Sequence, residues 1–375
     1  MTRIAFYAPL KPPDAAVPSG DRRMARLLMQ ALRAAGYEVE LAARFRSRDG
    51  AGDPERQARL AALGRRLAAR LVRRWRGRPP AAWFTYHLYY KAPDWLGPAV
   101  SATFGIPYFL AEASYAPKRA GGPWDLGHRA VADAVARAEA VFCLNPNDVA
   151  CLRPLVADAA RLVPLPPFLD AAPYADAAAA RARHRADLAV RFGLDPAMPW
   201  LLAVGMMRFG DKLASYRLLG AALAGLAGRD WRLLVAGDGP ARGEVVAALA
   251  PLGNRVAFAG ALPTEALPPL YAAADLLVWP AMREAYGMAL LEAQAAGLPV
   301  VAGRTDGVPA IVADGETGLL AAPGDAAALG AALCALLDDP ARRAAMGEAA
   351  RRRVAAGHSV AGAAAILRGR IGDLA

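Results

Sequence analysis

The sequence is poor in the residues from which several common kinds of site are built. Its three cysteines are odd in number and scattered, which indicates reduced thiols and no disulfide framework: Cys143, Cys151 and Cys334. Its four histidines do not cluster with the cysteines, so no zinc site is predicted. No apolar run reaches the roughly 18 residues that a transmembrane helix requires, so no membrane-spanning segment is expected.

Lysine is scarce as well, because it occurs only at positions 11, 91, 118 and 212 of the 375 residues. The formal net charge of +11 therefore rests on arginine. Residues 44–78 concentrate that charge, with twelve arginines against three acidic residues. This segment is the most basic surface that the sequence predicts.

The basic segment has the pattern of an amphipathic helix over residues 54–76. Apolar residues recur there every three or four positions: Leu60, Leu63, Leu67, Leu71 and Trp75. Arginines surround this apolar stripe: Arg56, Arg59, Arg66, Arg70, Arg73 and Arg74. We interpret them either as the solvated back of a core-facing helix or as a contact surface for anionic lipid headgroups. Nucleic acid is not an expected partner, because aromatic residues for base stacking are not interleaved through the segment.

Strand and helix patterns alternate along the whole chain, which predicts an α/β fold with parallel sheets. The length favours two domains rather than one. A proline-rich segment, residues 165–170, is interpreted as the boundary between them. We therefore expect one doubly wound, Rossmann-like domain over 1–168, a second over 169–355, and a C-terminal helical segment over 356–375. Residues 171–198 are rich in Ala and Arg and only weakly patterned.

The most informative segment is residues 279–302, which read WPAMREAYGMALLEAQAAGLPVVA. Seven residues separate its two glutamates, Glu284 and Glu292, and a short turn between them opens a helix: Tyr286, Gly287 and Met288. The free N–H groups and the dipole of a helix N-terminus bind phosphate, and Gly287 allows a ligand to approach the backbone closely. A carboxylate beside phosphate would be repelled, so we expect Glu292 to face sugar hydroxyls instead. The pattern favours a nucleotide-sugar site over a solvated surface helix.

This segment resembles the E-x7-E motif of the retaining glycosyltransferases of family 4, also called group 1, which have the GT-B fold. The resemblance is strong over about 200–325 and only architectural over 1–165. It implies two Rossmann-like domains facing each other across a cleft, with a C-terminal helix that crosses back toward the first domain. It also implies that Glu292 holds the nucleotide ribose, that Glu284 lies near the donor sugar, and that the turn backbone at Gly287 and Met288 binds the diphosphate.

Two cations, Arg208 and Lys212, flank a glycine turn after the first predicted strand of the second domain. Preorganised cations stabilise the negative charge that develops on a leaving diphosphate. The pair resembles the Gly-Arg…Lys loop of the family, which implies a diphosphate-binding role for both residues. The spacing departs from the family pattern, because Arg208 comes three residues after Gly205, so a different loop geometry is expected. No Asp-x-Asp pair occurs in the sequence, and we expect a reaction without a metal or other cofactor.

Two further glycine turns resemble loops of the same family. Gly239 lies in the segment 233–240, a strand that runs into a Gly-Asp-Gly turn, and the resemblance implies a place near the nucleotide. Gly20, in the segment 18–21, opens the first predicted helix and offers backbone amides to a phosphate. The neighbouring Ser19 has a simpler interpretation as the N-cap of that helix.

The acceptor side departs most from the family pattern. Many family 4 enzymes carry a histidine just after the strand that corresponds here to 107–112, and this chain has Glu112 and small residues there instead. His87, at the end of the preceding predicted strand, is the other candidate. Either His87 or Glu112 could orient or deprotonate an acceptor hydroxyl within hydrogen-bond reach, and each could equally be structural.

The implied reaction moves a sugar from a nucleoside-diphosphate sugar to a hydroxyl of a glycan or lipid-linked acceptor, with retention, in bacterial polysaccharide or glycolipid synthesis. Two alternatives stay open: a non-catalytic nucleotide-sugar-binding partner subunit, and a sugar-nucleotide epimerase or phosphorylase of the same fold. No G-x-G-x-x-G follows the first strand, which disfavours an NAD-dependent oxidoreductase. The chain runs straight into a strand without an apolar signal-peptide region, so we expect a cytoplasmic protein. It would be peripheral on the inner membrane if the basic helix binds lipid.

Overall fold

The computed structural model describes residues 2–16 and 19–372. The chain divides into two compact units, one formed by Met1–Pro166 together with Val360–Ala375 and the other by Pro167–Ser359. The first unit therefore contains both ends of the chain. In the part of the chain that the structure describes, no helix is long and apolar enough to cross a membrane.

The first unit is an α/β structure around a six-stranded sheet. Its elements before the second unit are β1 (Arg3–Tyr7), α1 (Gly20–Ala34), β2 (Glu38–Ala43), α2 (Pro54–Trp75), β3 (Ala82–Leu88), α3 (Gly97–Phe104), β4 (Tyr108–Ala113), α4 (Asp125–Arg137), β5 (Ala140–Cys143), α5 (Asp148–Leu152) and β6 (Leu162–Pro164). All strand pairs are parallel, in the order β2-β1-β3-β4-β5-β6. The order reverses direction between β1 and β3, and ligands of such sheets bind where the loops diverge beyond the strand ends.

The second unit is also an α/β structure around a six-stranded parallel sheet, but its strand order differs from that of the first unit. Its elements are α6 (Ala172–Ala179), α7 (Arg181–Phe192), β7 (Trp200–Val204), α8 (Asp211–Ala224), β8 (Arg232–Ala236), α9 (Arg242–Leu249), β9 (Val256–Gly260), α10 (Leu267–Ala273), β10 (Leu276–Trp279), α11 (Met288–Ala295), β11 (Val300–Gly303), α12 (Val308–Ile311), β12 (Gly318–Ala321), α13 (Ala326–Leu337) and α14 (Pro340–Gly357). The parallel sheet has the order β12-β11-β10-β7-β8-β9, so its reversal lies between β7 and β10. This is the strand order of nucleotide-binding α/β domains.

The last helix, α15 (Val360–Ile371), belongs to the first unit and packs against α1. The hydroxyl of Tyr37, just after α1, donates a 2.7 Å hydrogen bond to the carbonyl oxygen of Gly372. The guanidinium of Arg370 lies 3.2 Å from the carbonyl oxygen of Glu139. Helix α15 and Gly372 are thus held to the first unit through α1, Tyr37 and Glu139.

The basic helix α2 buries only part of the apolar stripe that the sequence predicts. Its buried residues are small or lie on one side: Gln57, Ala61, Gly64, Ala68, Leu71 and Trp75. Leu63 is 44% exposed, and Leu60 and Leu67 are half-buried. The reason is close packing, because a Cβ added to Gly64 would lie 2.3 Å from the Cβ of Trp95. The prediction of a core-facing stripe through Leu63 is therefore wrong, although the helix itself lies where it was expected.

The weakly patterned segment 171–198 contains two helices, α6 and α7, which the sequence pattern did not predict. Their position depends on Asp275, which precedes β10. Its carboxylate binds Arg181 at 2.7 Å and Arg185 at 3.0 Å, and it also accepts a 2.7 Å hydrogen bond from the backbone N–H of Trp200. The guanidinium of Arg185 lies over the Trp200 ring at 4.4 Å. Long-range contacts of this kind leave no periodic pattern in the sequence.

Replacing Asp275 by asparagine should destabilise the second unit by about 2–4 kcal/mol, because two part-buried guanidinium groups lose their shared counter-charge. Burial lowers the pKa of Arg181, and Asp275 opposes that effect. Urea unfolding monitored by tryptophan fluorescence measures the change. The matched control is Asp187→Asn, which removes an exposed partner of Arg183 on α7 and should cost under about 0.5 kcal/mol. Equal midpoints for the two variants would contradict the role of Asp275.

Candidate active site

Lys212 and Glu284 meet at the reversal point of the second sheet. Lys212 lies in the first turn of α8, which follows β7, and Glu284 lies in the loop after β10. The Lys212 ammonium forms an ion pair with the Glu284 carboxylate, and both side chains are more than two-thirds buried, with exposed fractions of 28% and 18%. Trp279 Nε1 donates to the same carboxylate oxygen at 3.1 Å. The structure therefore brings together two of the residues that the sequence predicts for a donor site.

Two aromatic rings hold this ion pair in place. The Lys212 ammonium lies 5.2 Å from the centroid of the Trp279 ring. The Tyr216 ring meets Trp279 edge to face at 5.1 Å, and its hydroxyl donates a 2.7 Å hydrogen bond to the carbonyl oxygen of Gly205. The loop after β7 is thus tied to the loop after β10 through side chains that are themselves buried. A cation that is held in place in this way can stabilise a leaving anion without first being ordered.

The glycines of the Gly-Asp-Gly turn serve close backbone packing. A Cβ added to Gly237 would lie 1.9 Å from the carbonyl oxygen of Gly205, and one added to Gly239 would lie 2.3 Å from that of Met207. The backbone N–H of Met207 in turn donates to the carbonyl oxygen of Asp238 at 2.9 Å. Gly239 is thus required where the loops after β7 and β8 touch, and its predicted contact with a nucleotide stays a prediction.

The loop that carries Glu284 has an unusual backbone. Ala281 and Arg283 adopt positive φ angles of 57° and 49°, which non-glycine residues rarely do. Gly287, with φ 74°, is the N-cap of α11. The neighbouring Tyr286 and Met288 are each only 9% exposed. Strained backbone of this kind clusters at binding sites, where the surrounding structure holds it in place.

Glu292 lies inside the protein, on α11. Its exposed fraction is 4%, and it accepts a 2.7 Å hydrogen bond from the hydroxyl of Tyr271 on α10. A buried carboxylate must have hydrogen-bond partners, because an unpartnered one would be strongly destabilising. This placement excludes the interpretation of the E-x7-E segment as a solvated surface helix.

Arg208 is set apart from this group. It lies on the exposed part of the loop after β7, and its guanidinium Nη2 is 3.1 Å from the sulfur of Met206. Within residues 2–16 and 19–372 the structure gives it no ion pair with Glu284. The irregular spacing of the Gly-Arg…Lys loop, which predicted a different geometry, is consistent with this position.

A second charged cluster lies at the reversal point of the first sheet. His87, near the end of β3, places its Nδ1 3.2 Å from a carboxylate oxygen of Asp21 and 3.5 Å from one of Glu112. Asp21 is in the first turn of α1, and Glu112 is near the end of β4. His87 and Glu112 both have positive φ, 61° and 56°, so the backbone is strained at both. Sequence reasoning gave His87 and Glu112 but not Asp21 as a partner.

The charges around His87 keep its imidazole protonated. Burial alone lowers the pKa of His87, but the carboxylates of Glu112 and Asp21, together with Asp148, raise it to about 9. Asp148 accepts a 2.9 Å hydrogen bond from the hydroxyl of Ser114, and burial raises the pKa of its carboxyl group. With a pKa in this range, the His87 imidazole carries a positive charge at neutral pH.

The remaining predicted residue, Gly20, is the first residue of α1 and has open space where a Cβ would lie. Ser19 is the N-cap and accepts a 3.2 Å hydrogen bond from the backbone N–H of Arg22. Pro18, the first residue of the predicted phosphate loop, lies outside the described residues. Among residues 2–16 and 19–372, no group of three or more His, Cys, Asp or Glu side chains is placed to hold a metal ion.

The His87 imidazole should titrate near pH 9 in an NMR experiment on its ring protons, assigned by the loss of the signal in His87→Gln. Glu112→Gln should lower this pKa toward 6.5 because it removes a facing negative charge, whereas Asp133→Asn, at an exposed position on α4, should not. The folded pKa is raised, so the stabilising contribution is complete below pH 6.5 and is lost as pH rises through about 9. A wild-type value near 6.5 would contradict the cluster.

Comparison with known proteins finds a family match within the second unit. Residues 198–339 match the family described as glycosyl transferases group 1. Among curated relatives, an alpha-D-kanosaminyltransferase of Streptomyces kanamyceticus is 34% identical over 50% of this chain and 48% of its own length. A GDP-mannose-dependent alpha-(1-6)-phosphatidylinositol monomannoside mannosyltransferase of Mycolicibacterium smegmatis is 37% identical over 51% of each chain. The chain thus spans about half the length of these relatives in its matches.

Similarity of fold extends over nearly the whole chain. A solved sucrose-phosphate synthase of Thermosynechococcus elongatus superimposes with a TM-score of 0.75 over 98% of both chains, at 24% sequence identity. The resemblance inferred from the sequence is therefore confirmed: residues 198–339 have the sequence of the group 1 glycosyltransferases, and the chain has their α/β GT-B fold.

Proposed function

We propose that this chain is a glycosyltransferase that moves a sugar from a nucleoside-diphosphate sugar to an acceptor hydroxyl with retention of configuration. The observation that carries the proposal is the buried pairing of Lys212 with Glu284 at the reversal point of the second sheet. The N-terminus of α11 begins four residues after Glu284, and the buried Glu292 lies on the same helix. A phosphate-linked sugar needs a cation and helix amides for its phosphates, and it needs carboxylates for its hydroxyls.

The donor interacts with these groups by charge. The diphosphate takes the Lys212 ammonium and the free N–H groups at the start of α11 as partners. Glu284, released from Lys212, accepts hydrogen bonds from hydroxyls of the donor sugar, and Glu292 accepts them from the ribose. As the glycosidic bond breaks, negative charge grows on the leaving phosphate, and Lys212 stabilises it without a metal ion.

The acceptor side uses the first unit. His87 is cationic, so it orients a hydroxyl or an anionic group by donating a hydrogen bond and does not remove a proton. The acceptor hydroxyl attacks the sugar on the face from which the phosphate leaves, which accounts for retention, and its proton goes to the leaving phosphate. The kanosaminyl and mannosyl transferases among the relatives support a bacterial saccharide or glycolipid as the acceptor.

The exposed face of α2 supports a place at an anionic membrane. Leu63 is 44% exposed, and three exposed arginines share its face at spacings of three and four: Arg59, Arg66 and Arg70. An apolar side chain among cations suits the headgroup region of a bilayer. We infer that the protein works in the cytoplasm, peripherally bound to the inner membrane.

The first test is thermal stability in the presence of UDP, GDP, ADP or NAD. One nucleoside diphosphate at about 100 times its dissociation constant should stabilise the protein by about 2.7 kcal/mol, and NAD should not. Glu292→Gln should abolish the response, since it removes the charge while keeping an acceptor for Tyr271. Tyr271→Phe removes the hydrogen bond but keeps the charge, and should weaken the response only in part. Glu348→Gln, at an exposed position on α14, is the matched control.

Donor hydrolysis in the absence of acceptor separates an enzyme from a non-catalytic binder. The wild type should release free sugar slowly from the donor that carries the preferred nucleotide, and Lys212→Met should lose most of this activity. Stabilisation by a nucleotide without any hydrolysis or transfer would favour the binding-subunit alternative. No stabilisation by any nucleoside diphosphate would contradict the proposed donor site.

Membrane binding is tested by vesicle flotation with phosphatidylcholine alone and with added phosphatidylglycerol. Arg66→Gln with Arg70→Gln should weaken binding to anionic vesicles by about 2 kcal/mol, roughly thirtyfold, since each cation near the surface contributes about 1 kcal/mol. Arg342→Gln with Arg352→Gln removes the same charge from exposed positions on α14 and should change little. Equal binding to neutral and anionic vesicles would refute the proposal.

A further inference from the structure

A row of aromatic side chains leads away from His87 in the first unit. The ring of Tyr89 lies 5.4 Å from that of His87, Tyr90 lies 5.5 Å from Tyr89, and Trp124 lies 5.6 Å from Tyr90. All three aromatic residues are half-buried. Faces of aromatic rings bind the C–H faces of sugars as well as cations.

Two cations share the far end of this row. The Lys91 ammonium lies 4.5 Å from the Trp124 ring centroid and 5.8 Å from that of Tyr90. The Arg119 guanidinium lies 5.1 Å from Tyr90 and 6.0 Å from Trp124. Both cations therefore lie close to the same pair of rings.

No carboxylate forms an ion pair with either cation in the part of the chain that the structure describes. Neither Lys91 nor Arg119 has an ion pair there, and Arg119 Nε is buried without a hydrogen-bond partner. The nearby carboxylates have other partners. Asp125 binds Arg129 at 3.0 Å, and Asp49 accepts hydrogen bonds from the backbone N–H groups of residues 51–53.

The Trp124 ring, which lies close to both cations, is held in place by the neighbouring backbone. Trp124 Nε1 donates a 3.0 Å hydrogen bond to the carbonyl oxygen of Asp49. Gly52, with φ 77°, packs so closely that an added Cβ would lie 3.3 Å from the Trp124 ring.

We propose that Lys91 and Arg119, over the rings of Tyr90 and Trp124, form a binding subsite for a phosphate group carried by the saccharide acceptor. The inference rests on the proposed function, because it names the chemical class of the acceptor. Phosphate supplies the missing counter-charge, and the guanidinium of Arg119 can bind two of its oxygens. The sugar of the same ligand lies along Tyr89 toward His87. The phosphate belongs either to a free sugar phosphate or to a phospholipid headgroup.

The experiment measures binding of glucose 6-phosphate and of glucose by quenching of tryptophan fluorescence, in the Lys212→Met background so that the donor site does not bind phosphate. Glucose 6-phosphate should bind and glucose should bind at least tenfold more weakly. Arg119→Gln and Lys91→Gln should each weaken glucose 6-phosphate binding about tenfold or more, the usual effect of losing a charge-assisted hydrogen bond. Arg137→Gln, at an exposed position on α4, should not change it.

A second arm uses vesicles with phosphatidic acid or with phosphatidylcholine alone, in the Arg66→Gln and Arg70→Gln background that weakens α2. Binding that depends on Lys91 and Arg119 in either arm supports the subsite, and the arm in which it occurs identifies the free or the lipid-linked source. Equal affinity for glucose and glucose 6-phosphate, or phosphate binding unchanged in both variants, overturns the inference. The nucleotide response of the wild type is independent of this outcome, so the two proposals can fail separately.

Discussion

The reversal point of a parallel sheet is the constraint on which both candidate sites depend. In each unit two neighbouring strands send their following segments in opposite directions, so the backbone diverges beyond the strand ends and leaves room for side chains. Lys212 and Glu284 come from the two sides of the reversal between β7 and β10. Asp21 and His87 come from the two sides of that between β1 and β3. No local motif brings either pair together, because only the strand order makes these segments neighbours.

Charge balance distinguishes the three groups of charged residues. Lys212 and Glu284 neutralise each other, so a ligand of the proposed donor site must replace one partner of this pair by another. His87 faces more negative charge than it carries, which keeps its imidazole protonated. Lys91 and Arg119 have no ion pair among the described residues, so an added anion supplies a partner without replacing one. The same electrostatic argument thus assigns a different role to each group.

The sequence could predict features that depend on residues close together in the chain. It could not predict features that depend on contacts between distant residues. The E-x7-E segment, with its loop, helix and strand, is local, and its elements lie where the pattern places them. Its deeper feature, the burial of Glu292 against Tyr271, is a contact between residues 21 positions apart, and no spacing rule indicates it. The buried face of α2 was predicted correctly at Leu71 and Trp75 but wrongly at Leu63, because Gly64 packs against Trp95 and small residues share the buried face. Helices α6 and α7 were missed because Asp275 lies far from them in the chain.

At Glu112 this chain departs from the family pattern, and the order of the parallel strands explains how a histidine still lies next to this position. The family places a histidine after the strand that is β4 here, and this chain has an acidic residue there with its histidine one strand away, at position 87. Parallel neighbouring strands end side by side, so the imidazole and the carboxylate still meet, at 3.5 Å. The backbone is strained at both positions, and strain persists only where surrounding contacts hold it. The result is a cation at the strand ends that is held by two carboxylates and next to a row of aromatic rings. In the proposed mechanism such a group orients the acceptor, and the leaving phosphate takes the proton of the acceptor hydroxyl.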